Sequence, residues 1–255
     1  MPDTICQDSS SSARTSDTEL FYRHYISSLS HELRNTFTLI YSSLQIIEKS
    51  CPCVSDLPLW PQTLDDIRYT IRLLKDTSAM TRDYPLKLTA FSAHDFLEEL
   101  SVSARPFLEE HHIQLHTNVN CAAGTQIHIH ADRSRLKEAL TNLLINAADA
   151  LSAAPFSHDR HIYLTVEYQP DMLRQSAAGI CFSVKDNGPG IPETYLQTLF
   201  DPFVTHKPGG TGLGLSIVRD IAVRHGGTVS VETNALGTET YTDFHLFLPG
   251  GRIDS

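Results

Sequence analysis

The sequence predicts an α+β protein in which an N-terminal helical hairpin, forming a dimeric four-helix bundle, is followed by an α/β sandwich with a mixed sheet. Two observations predict this fold class. Two narrow apolar stripes with helical spacing precede residue 85. After it, predicted strands outnumber helices and several are adjacent in the chain, which favours a sandwich over a doubly wound parallel sheet. We expect a disordered polar tail at 1–19, the hairpin at 20–84 and the second domain at 85–250.

The hairpin is predicted from apolar residues that recur every three or four positions, at about 100° per residue. Pro61 suits the first turn of the second helix, and two prolines in CPCVSDLP end the first helix near Ser50. One hairpin cannot bury both stripes by itself, so a second copy is expected to complete a four-helix bundle as a homodimer. The stripes are Ile26, Leu29, Leu33, Phe37, Ile40, Leu44 and Ile47, then Trp60, Leu64, Ile67, Ile71 and Leu74.

The second domain is predicted to mix short strands with three helices. The helices start after Ser92 or Ala93 and run to about His111, from Asp132 to Leu151, and from Thr211 to about His225. A Gly/Pro-rich stretch occupies 186–210. The predicted strands are 86–90, 113–119, 126–130, 162–168, 179–185, 228–232 and 240–248.

Composition excludes several classes of protein. The 255 residues carry 30 acidic and 20 basic side chains, a net charge of -10, which argues against a nucleic-acid binder because phosphate contacts need clustered Lys and Arg. No apolar run reaches the roughly 18–20 residues of a membrane span, and the polar N-terminus does not resemble a signal peptide. Five cysteines, an odd number, do not suggest a secreted disulfide framework. We therefore expect a soluble, cytoplasmic protein.

Cys51 and Cys53 lie in the predicted hairpin turn. Two thiols could sense redox state or bind a metal, but they leave a tetrahedral metal site incomplete. A plain loop is the favoured interpretation.

A first candidate site is the segment SHELRN. His31 lies about 160° from the apolar stripe and is expected to face solvent, with Asn35 one turn later on the same face. A neutral imidazole can attack phosphorus, and Glu32 can stabilise the proton that must leave. The alternative is an ordinary surface histidine. HExxN lacks the second histidine of a zinc-protease motif.

A second candidate is the pair Asn142 and Asn146, one turn apart on an otherwise apolar helix. Paired amide oxygens beside a phosphate chain can hold Mg²⁺. The alternative is two buried asparagines bonded to the backbone.

Two glycine-containing segments follow. In DNGPG, Asp186 at a strand end can accept a hydrogen bond from an exocyclic amine such as adenine N6, and the glycines allow a tight turn, although a plain turn is the alternative. In KPGGTGLGL, glycines before a helix form a phosphate cradle with Lys207 as a point charge. This loop lacks both the ending of a P-loop and the spacing of a dinucleotide site.

Together, these four segments resemble the histidine protein kinases of two-component signalling, within the ATPase superfamily that includes gyrase, the ninety-kilodalton heat-shock chaperone and MutL. SHELRN resembles the phospho-acceptor box, NLLINAADA the asparagine box and DNGPG the first glycine box. FDPFVTHKPGGTGLGLSIV resembles the lid and second glycine box. The resemblance covers roughly residues 20–249 in family order, and implies that 85–250 is a catalytic ATP-binding domain.

The resemblance also implies roles for individual residues. His31 would be phosphorylated, Glu32 would be its acid/base partner, and Asn35 would orient water in members that also dephosphorylate their partner. Asn146 would bind Mg²⁺, Asn142 would assist at the phosphates, and Asp186 would accept from adenine. Thr36 stands where the family often has proline, so the helix is less prone to bend there. ATP would contact Gly188, Gly190, Lys207, Gly210, Thr211, Gly212, Leu213 and Gly214, with Phe200 and Phe203 as aromatic anchors of the lid.

The implied function is ATP-dependent autophosphorylation of His31, followed by transfer to an aspartate in the receiver domain of a response regulator. Because only about 20 residues precede the hairpin, a separate sensory protein is expected to supply the input. One alternative is a non-catalytic dimeric phosphotransfer protein with a degenerate ATP domain. A chaperone-type or topoisomerase-type ATPase is another, but it would not need the HExxN hairpin.

Overall fold

The described part of the chain forms two compact units. The computed structural model describes residues 9–81, 85–122, 125–153, 159–170, 178–207, 209–237 and 239–254. The first unit contains residues up to Pro85 together with Thr205–Leu213, and the second contains Leu86–Val204 and Gly214–Ser255. The loop 205–213, which the sequence analysis assigns to the second domain, therefore groups with the hairpin. Residues 1–8 of the predicted tail lie outside the described residues.

The first unit is built on a hairpin of two long helices. Helix α1 spans Ser9–Ser50, a 3₁₀ turn spans Pro52–Asp56, and helix α2 spans Trp60–Thr81. The indole Nε1 of Trp60 donates to Glu48 Oε1 at 3.1 Å, and Arg68 Nε donates to the Tyr41 hydroxyl at 2.8 Å. Both helix boundaries at the turn agree with those predicted from the prolines.

The start of α1 differs from the expectation of a disordered tail at 1–19. The helix begins at Ser9, so the backbone of residues 9–19 is helical. Extending a formed helix adds one hydrogen bond for each residue ordered, whereas starting a new one is unfavourable. The helix formed by the residues after Leu20 can therefore be extended backwards over residues 9–19. The composition of residues 9–19 alone does not predict this extension.

The hairpin leaves much of its first apolar stripe accessible. On α2, Leu64 is buried. On α1, five stripe residues remain between 40% and 44% exposed, namely Ile26, Leu29, Leu33, Ile40 and Ile47. The two helices of one hairpin therefore do not bury this surface by themselves, as the sequence analysis expects.

The second unit contains two sheets. The larger sheet has the strand order β2-β4-β5-β7-β6; β2 and β4 are parallel and the other neighbours are antiparallel. The smaller, antiparallel sheet has the order β1-β3-β8. This confirms the predicted mixed α+β fold. In chain order the elements are β1 Leu88–Ser92, α3 Ala93–Glu110, β2 Ile113–Asn120, β3 Gln126–Asp132, α4 Arg133–Ala153, β4 Arg160–Gln169, β5 Gly179–Asp186, α5 Glu193–Leu196, α6 Gly214–Arg224, β6 Thr228–Asn234, β7 Tyr241–Pro249 and β8 Arg252–Asp254.

The core of this unit lies between the larger sheet and the helices α3, α4 and α6. Alternate residues of β4 and β7 are buried, as period-two patterning requires, and β5 is buried along most of its length. Helix α4 contributes a broad apolar face. The fully buried side chains include Ile162, Leu164, Val166, Phe182, Val184, Leu246, Leu136, Leu140, Leu143, Leu151 and Val218. This packing holds α4 against the sheet.

Asp132 fixes the start of α4. Its Oδ1 accepts from the backbone N–H groups of Ser134 and Arg135, both at 3.1 Å, and its Oδ2 accepts from Lys87 N at 2.9 Å. Burial alone would raise the pKa of this carboxyl, but the three backbone hydrogen bonds outweigh it and lower the pKa. The charged cap therefore anchors the helix that carries Asn142 and Asn146.

Several elements differ from the sequence-based boundaries. Strand β1 begins at Leu88 rather than 86, and α5 and β8 are not predicted. Helix α6 begins at Gly214 rather than Thr211, because Gly212 has φ 68°, which a right-handed helix cannot contain. In the described part of the chain, no helix has both the length and the hydropathy needed to cross a membrane.

Candidate nucleotide and phosphorylation sites

His31 and Asn35 form a small exposed pair on α1. Asn35 Nδ2 lies 3.4 Å from His31 Nδ1, the spacing of one helical turn. In this orientation, the amide donates to Nδ1 and the neutral ring carries its proton on Nε2. Rotating the amide by 180° lets Oδ1 accept from a protonated Nδ1, which leaves the lone pair of Nε2 free. The pair can therefore select which ring nitrogen is nucleophilic.

Glu32 and Thr36 lie beside this pair. Glu32 is exposed on the next position of the helix, and its backbone carbonyl accepts from Thr36 Oγ1 at 3.1 Å. Hydroxyl back-bonding of this type often bends a helix, but α1 is continuous from Ser9 to Ser50. Thr36 accordingly continues α1 without a break, as expected where proline is missing.

In the second unit, α4 brings its two asparagines next to the first residue of α6. A Cβ atom added to Gly214 would lie 3.4 Å from Asn142 Oδ1 and 4.0 Å from Asn146 Nδ2. Asn142 Nδ2 also donates to Glu138 O at 3.1 Å, which leaves its oxygen directed away from its own helix. The end of the glycine-rich segment and the asparagine helix therefore meet, although 72 and 68 residues separate Gly214 from Asn142 and Asn146 (214 − 142 and 214 − 146).

Asp186 ends β5 at a tight turn against the same helix. Its carboxyl group is buried, and its Oδ1 accepts from Gly188 N at 2.9 Å. A Cβ at Gly188 would lie 2.6 Å from that oxygen and 3.6 Å from Leu151 Cδ2 of α4. Because an ionised carboxylate has about four acceptor positions, it can accept Gly188 N–H and a further donor.

The turn continues to Gly190, which packs against the end of β6. Gly190 has φ 72°, and an added Cβ would collide with the carbonyl group of Asn234. Thr233 Oγ1 accepts from Ile191 N and donates to Tyr241 O, both at 2.8 Å. The DNGPG turn is thus held by the far edge of the larger sheet.

Replacing Gly190 with alanine is expected to destabilise the protein more than replacing Gly237. Both glycines have positive φ, which costs alanine about 1–2 kcal/mol. At Gly237 an added Cβ meets nothing within 4 Å, whereas at Gly190 it meets backbone. Overpacking adds about 1–3 kcal/mol at Gly190. Urea unfolding of the two variants measures the difference, and equal losses would contradict the close packing of the turn.

The remaining part of the glycine-rich segment, 205–213, is described within the first unit. Gly210 N donates to Lys207 O at 3.1 Å, and Lys207 N donates to Thr205 Oγ1 at 3.2 Å. Thr211 Oγ1 donates to Asp76 Oδ2 of α2 at 2.8 Å. Gly209 and Gly212 have φ of 69° and 68°, so the loop needs glycine at both positions. Leu213 is buried, and its N–H lies 3.4 Å from Thr211 Oγ1.

The two phenylalanines of the predicted lid occupy different environments. The ring of Phe200 packs edge-on against Phe244, with centroids 6.3 Å apart. Phe203 is 66% exposed and has φ 65°, which is uncommon for an aromatic residue. Phe200 is therefore anchored to the sheet, whereas Phe203 presents its ring to solvent in this structure.

The structure adds residues that sequence reasoning missed. Thr242 is buried and is the register partner of Asp186 on the neighbouring strand β7. Its sequence signal is that a polar residue, Thr242, occupies the buried face of β7 that otherwise carries apolar residues such as Phe244 and Leu246. Leu151, which packs beside Gly188, was predicted only as part of a helix. Asp76, the partner of Thr211, had no sequence signal.

Comparison with known proteins finds a family match in the second unit. Residues 131–252 match the family described as histidine kinase-, DNA gyrase B- and HSP90-like ATPase. These residues contain the asparagine helix, the Asp186 turn and the glycine-rich segment.

Similar proteins extend the comparison to the hairpin. The sensory histidine kinase/phosphatase NtrB of Rhizobium leguminosarum bv. phaseoli is 29% identical over 243 residues, covering 89% of this chain and 58% of NtrB. Full-length ShkA in complex with AMPPNP has a similar fold, with a TM-score of 0.65 at 21% identity over 90% of this chain and 47% of ShkA.

A third similar fold is histidine kinase ThkA in complex with the response regulator TrrA, with a TM-score of 0.59 at 24% identity over 96% of this chain and 68% of ThkA. The chain spans little more than half the length of its NtrB relative. Residues 131–252 therefore match the histidine kinase-, DNA gyrase B- and HSP90-like ATPase family, and the chain is similar to sensory histidine kinases over most of its length.

Proposed function

We propose that this chain is an ATP-dependent protein-histidine kinase that phosphorylates its own His31 and transfers the phosphoryl group to an aspartate in a response regulator. The observation that carries the proposal is the convergence of two segments, distant from each other in sequence, on the helix α4 that carries the paired asparagines. Asn142 and Asn146 meet Gly214 at one part of the helix, and the Asp186–Gly188 turn packs on Leu151 further along it. An amide pair, a buried carboxylate and a glycine-rich segment are the groups that an adenine nucleotide requires.

The nucleotide would be bound through its base and its phosphates. Asp186 would accept the N6–H group of adenine, and Gly188 leaves room beside the carboxylate because any Cβ there would contact it. Thr242, buried on the adjacent strand, would lie at the same end of the site. The phosphates would be contacted by the glycine-rich segment, namely Lys207, Gly210, Thr211, Gly212, Leu213 and Gly214. Gly190 would contact the nucleotide from the turn that follows Asp186.

A magnesium ion fits the amide groups of α4. The oxygen of Asn146 is the type of ligand that Mg²⁺ accepts alongside phosphate oxygens and water, and Asn142 would assist at the phosphates. When bound, the ion would reduce the negative charge of the triphosphate. This assignment makes Asn146 the protein's metal ligand.

With the Asn35 amide rotated so that Nδ1 of His31 carries the ring proton, the chemical step uses the lone pair of Nε2. A bond forms between Nε2 and the γ-phosphorus while the bond from that phosphorus to its bridging oxygen breaks, and ADP leaves with the electron pair. The product ring is cationic until it loses the proton on Nδ1. Glu32, an exposed carboxylate next to His31, would accept or stabilise that proton.

The phosphoryl group would then pass from His31 to an aspartate carboxylate, with the N–P bond breaking as the O–P bond forms. The ThkA complex with a response regulator supports a partner of this kind. Asn35, whose amide lies beside the His31 ring, would orient water for a second reaction, in which water attacks the aspartyl phosphate of the regulator and inorganic phosphate leaves. The name of the NtrB relative, kinase/phosphatase, supports that second activity.

The proposed active species is a homodimer joined through the hairpin, residues 20–84. Its apolar stripe on α1 is about two-fifths exposed in one chain, and a second hairpin would complete a four-helix bundle over it. We propose that the protein is cytoplasmic. The alternative, a non-catalytic phosphotransfer dimer, predicts no binding of ATP.

Replacing Ile40 with glutamate should dissociate the dimer. By symmetry, two charges enter the interface, and each removes about 1.5–3 kcal/mol of apolar burial, so the dissociation constant should rise more than about a hundredfold. Leu39→Glu is the matched control, because Leu39 is 70% exposed on a neighbouring face. Light scattering over a concentration series measures both variants. A dimer unaffected by Ile40→Glu would place the interface elsewhere.

Replacing Asp186 with asparagine tests the nucleotide assignment. The amide oxygen can still accept from Gly188 N–H, but the amide nitrogen cannot accept from adenine N6. Losing a hydrogen bond to a charged group should weaken ATP binding about 10- to 100-fold and abolish the preference for ATP over GTP. Calorimetric titration measures this, with Asp95→Asn on the exposed start of α3 as control. Unchanged affinity and selectivity would show that Asp186 does not read adenine.

A further inference from the structure

Cys51 and Cys53 are adjacent at the tip of the hairpin. Both side chains are exposed free thiols, and their Sγ atoms lie 2.6 Å apart. The backbone between them is constrained. Cys51 N donates to Ile47 O at 2.8 Å, Val54 N donates to Cys51 O at 3.1 Å, and Pro52 has a fixed φ. The two sulfurs are therefore held together by the turn itself.

The other described cysteines differ from this pair. Cys181 is buried on β5, and burial raises the pKa of its thiol to about 11. Cys121 is partly buried, and its Sγ lies 3.4 Å from the carbonyl oxygen of Thr125. A thiol reacts through its thiolate and only where a reagent can reach it. Within the described part of the chain, Cys51 and Cys53 alone combine exposure with a second sulfur in contact.

We propose that Cys51 and Cys53 form a thiol–disulfide exchange site, with low-molecular-weight disulfides such as oxidised glutathione as its substrates. The thiolate of Cys51 attacks one sulfur of the disulfide, whose S–S bond breaks and releases one thiol. Cys53 then attacks the Cys51 sulfur of the mixed disulfide and releases the second thiol. Two electrons and two protons pass from the protein to the two product thiols, and a Cys51–Cys53 disulfide remains.

The contact between the sulfurs sets the order of these steps. The Cys53 thiol hydrogen-bonds with Cys51, and this interaction raises the pKa of Cys53. A raised pKa reduces the thiolate fraction of Cys53, so we assign Cys51 as the first nucleophile and Cys53, whose sulfur is already in contact with it, as the resolving thiol. Since the product disulfide would be exposed, an added dithiol could reduce it again.

Peptide mass spectrometry of the full chain tests the proposal. The reduced protein is treated with oxidised glutathione, quenched in acid, unfolded, alkylated with iodoacetamide and digested with trypsin. Peptide 50–68, between Lys49 and Arg68, carries both cysteines and no other. In the oxidised sample, we expect this peptide to be two hydrogen atoms lighter than its reduced form and to carry no alkyl group. In a sample treated with dithiothreitol before the quench, we expect it to be alkylated twice. The peptides of Cys121 and Cys181 should be alkylated in every sample.

Two single variants separate the roles of the thiols. Cys53→Ser should accumulate the mixed disulfide on Cys51 to a level more than about tenfold above that of the wild type, because the neighbouring resolving thiol is missing. Cys51→Ser should react more slowly at Cys53. Full alkylation of peptide 50–68 after oxidation, equal oxidation of Cys121 or Cys181, or a disulfide between two chains on a non-reducing gel would each overturn the proposal.

Discussion

Replacing His31 with glutamine should abolish incorporation of phosphate from ATP and leave ATP binding near the wild-type level. The residue lies on α1, in the first unit, whereas the asparagines and Asp186 lie in the second. Glutamine keeps a polar side chain at an exposed helix position, so the fold should tolerate it. An amide nitrogen has no available lone pair for attack on phosphorus. We therefore expect loss of the reaction without loss of the substrate site.

The control is His94→Gln, an exposed histidine in the first turn of α3. It should be phosphorylated at the wild-type rate. The measurement is transfer of the γ-phosphate into protein, with nucleotide affinity measured on the same samples. Undiminished labelling of His31→Gln would show that another residue carries the phosphoryl group.

Replacing Asn146 with alanine should reduce the rate of autophosphorylation about a hundredfold or more. Removing one group that stabilises developing charge in a transition state has effects of this size. The side chain is half-buried and does not belong to the buried apolar face of α4, so alanine should preserve the packing of Leu143 and Leu144. The defect should therefore appear in the chemical step and in the concentration of Mg²⁺ required.

Two observations distinguish a metal role from a structural one. Nucleotide binding in the absence of Mg²⁺ should be nearly unchanged in Asn146→Ala, and the magnesium dependence of the rate should shift to higher concentration. Asn118→Ala, on the edge strand β2, is the matched control and should change neither property. A variant that loses stability but keeps the wild-type magnesium dependence would make Asn146 a structural residue.

Much of the fold could be predicted because local signals agreed with tertiary packing. The prolines at the hairpin turn bound α1 and α2, and the alternation of apolar residues identifies β4, β5 and β7. The short strand β8 has only three residues, and pairing with β3 defines it. The helical residues 9–19 had no apolar pattern, so composition alone suggested a tail. Where packing or propagation from a neighbour determines the structure, sequence pattern gives no signal.

The candidate site was predictable where chemistry is local in the sequence. Asp186 and Gly188 are two residues apart, and their hydrogen bond follows from the turn that connects them. Thr242 was missed because its proximity to Asp186 arises from the register of β5 and β7. The link from Thr211 to Asp76 likewise joins residues that are distant along the chain. Contacts of this kind depend on tertiary structure, which local sequence patterns do not reveal.

The chemical nature of the phosphorylated group tests the central claim most directly. The wild-type protein is incubated with γ-labelled ATP and Mg²⁺, and the labelled product is divided between acid and alkali. A phosphorus–nitrogen bond to His31 predicts that the label is lost in acid and retained in alkali. Label that survives acid and is removed by alkali would indicate a serine or threonine ester, and would contradict the assignment of a histidine kinase.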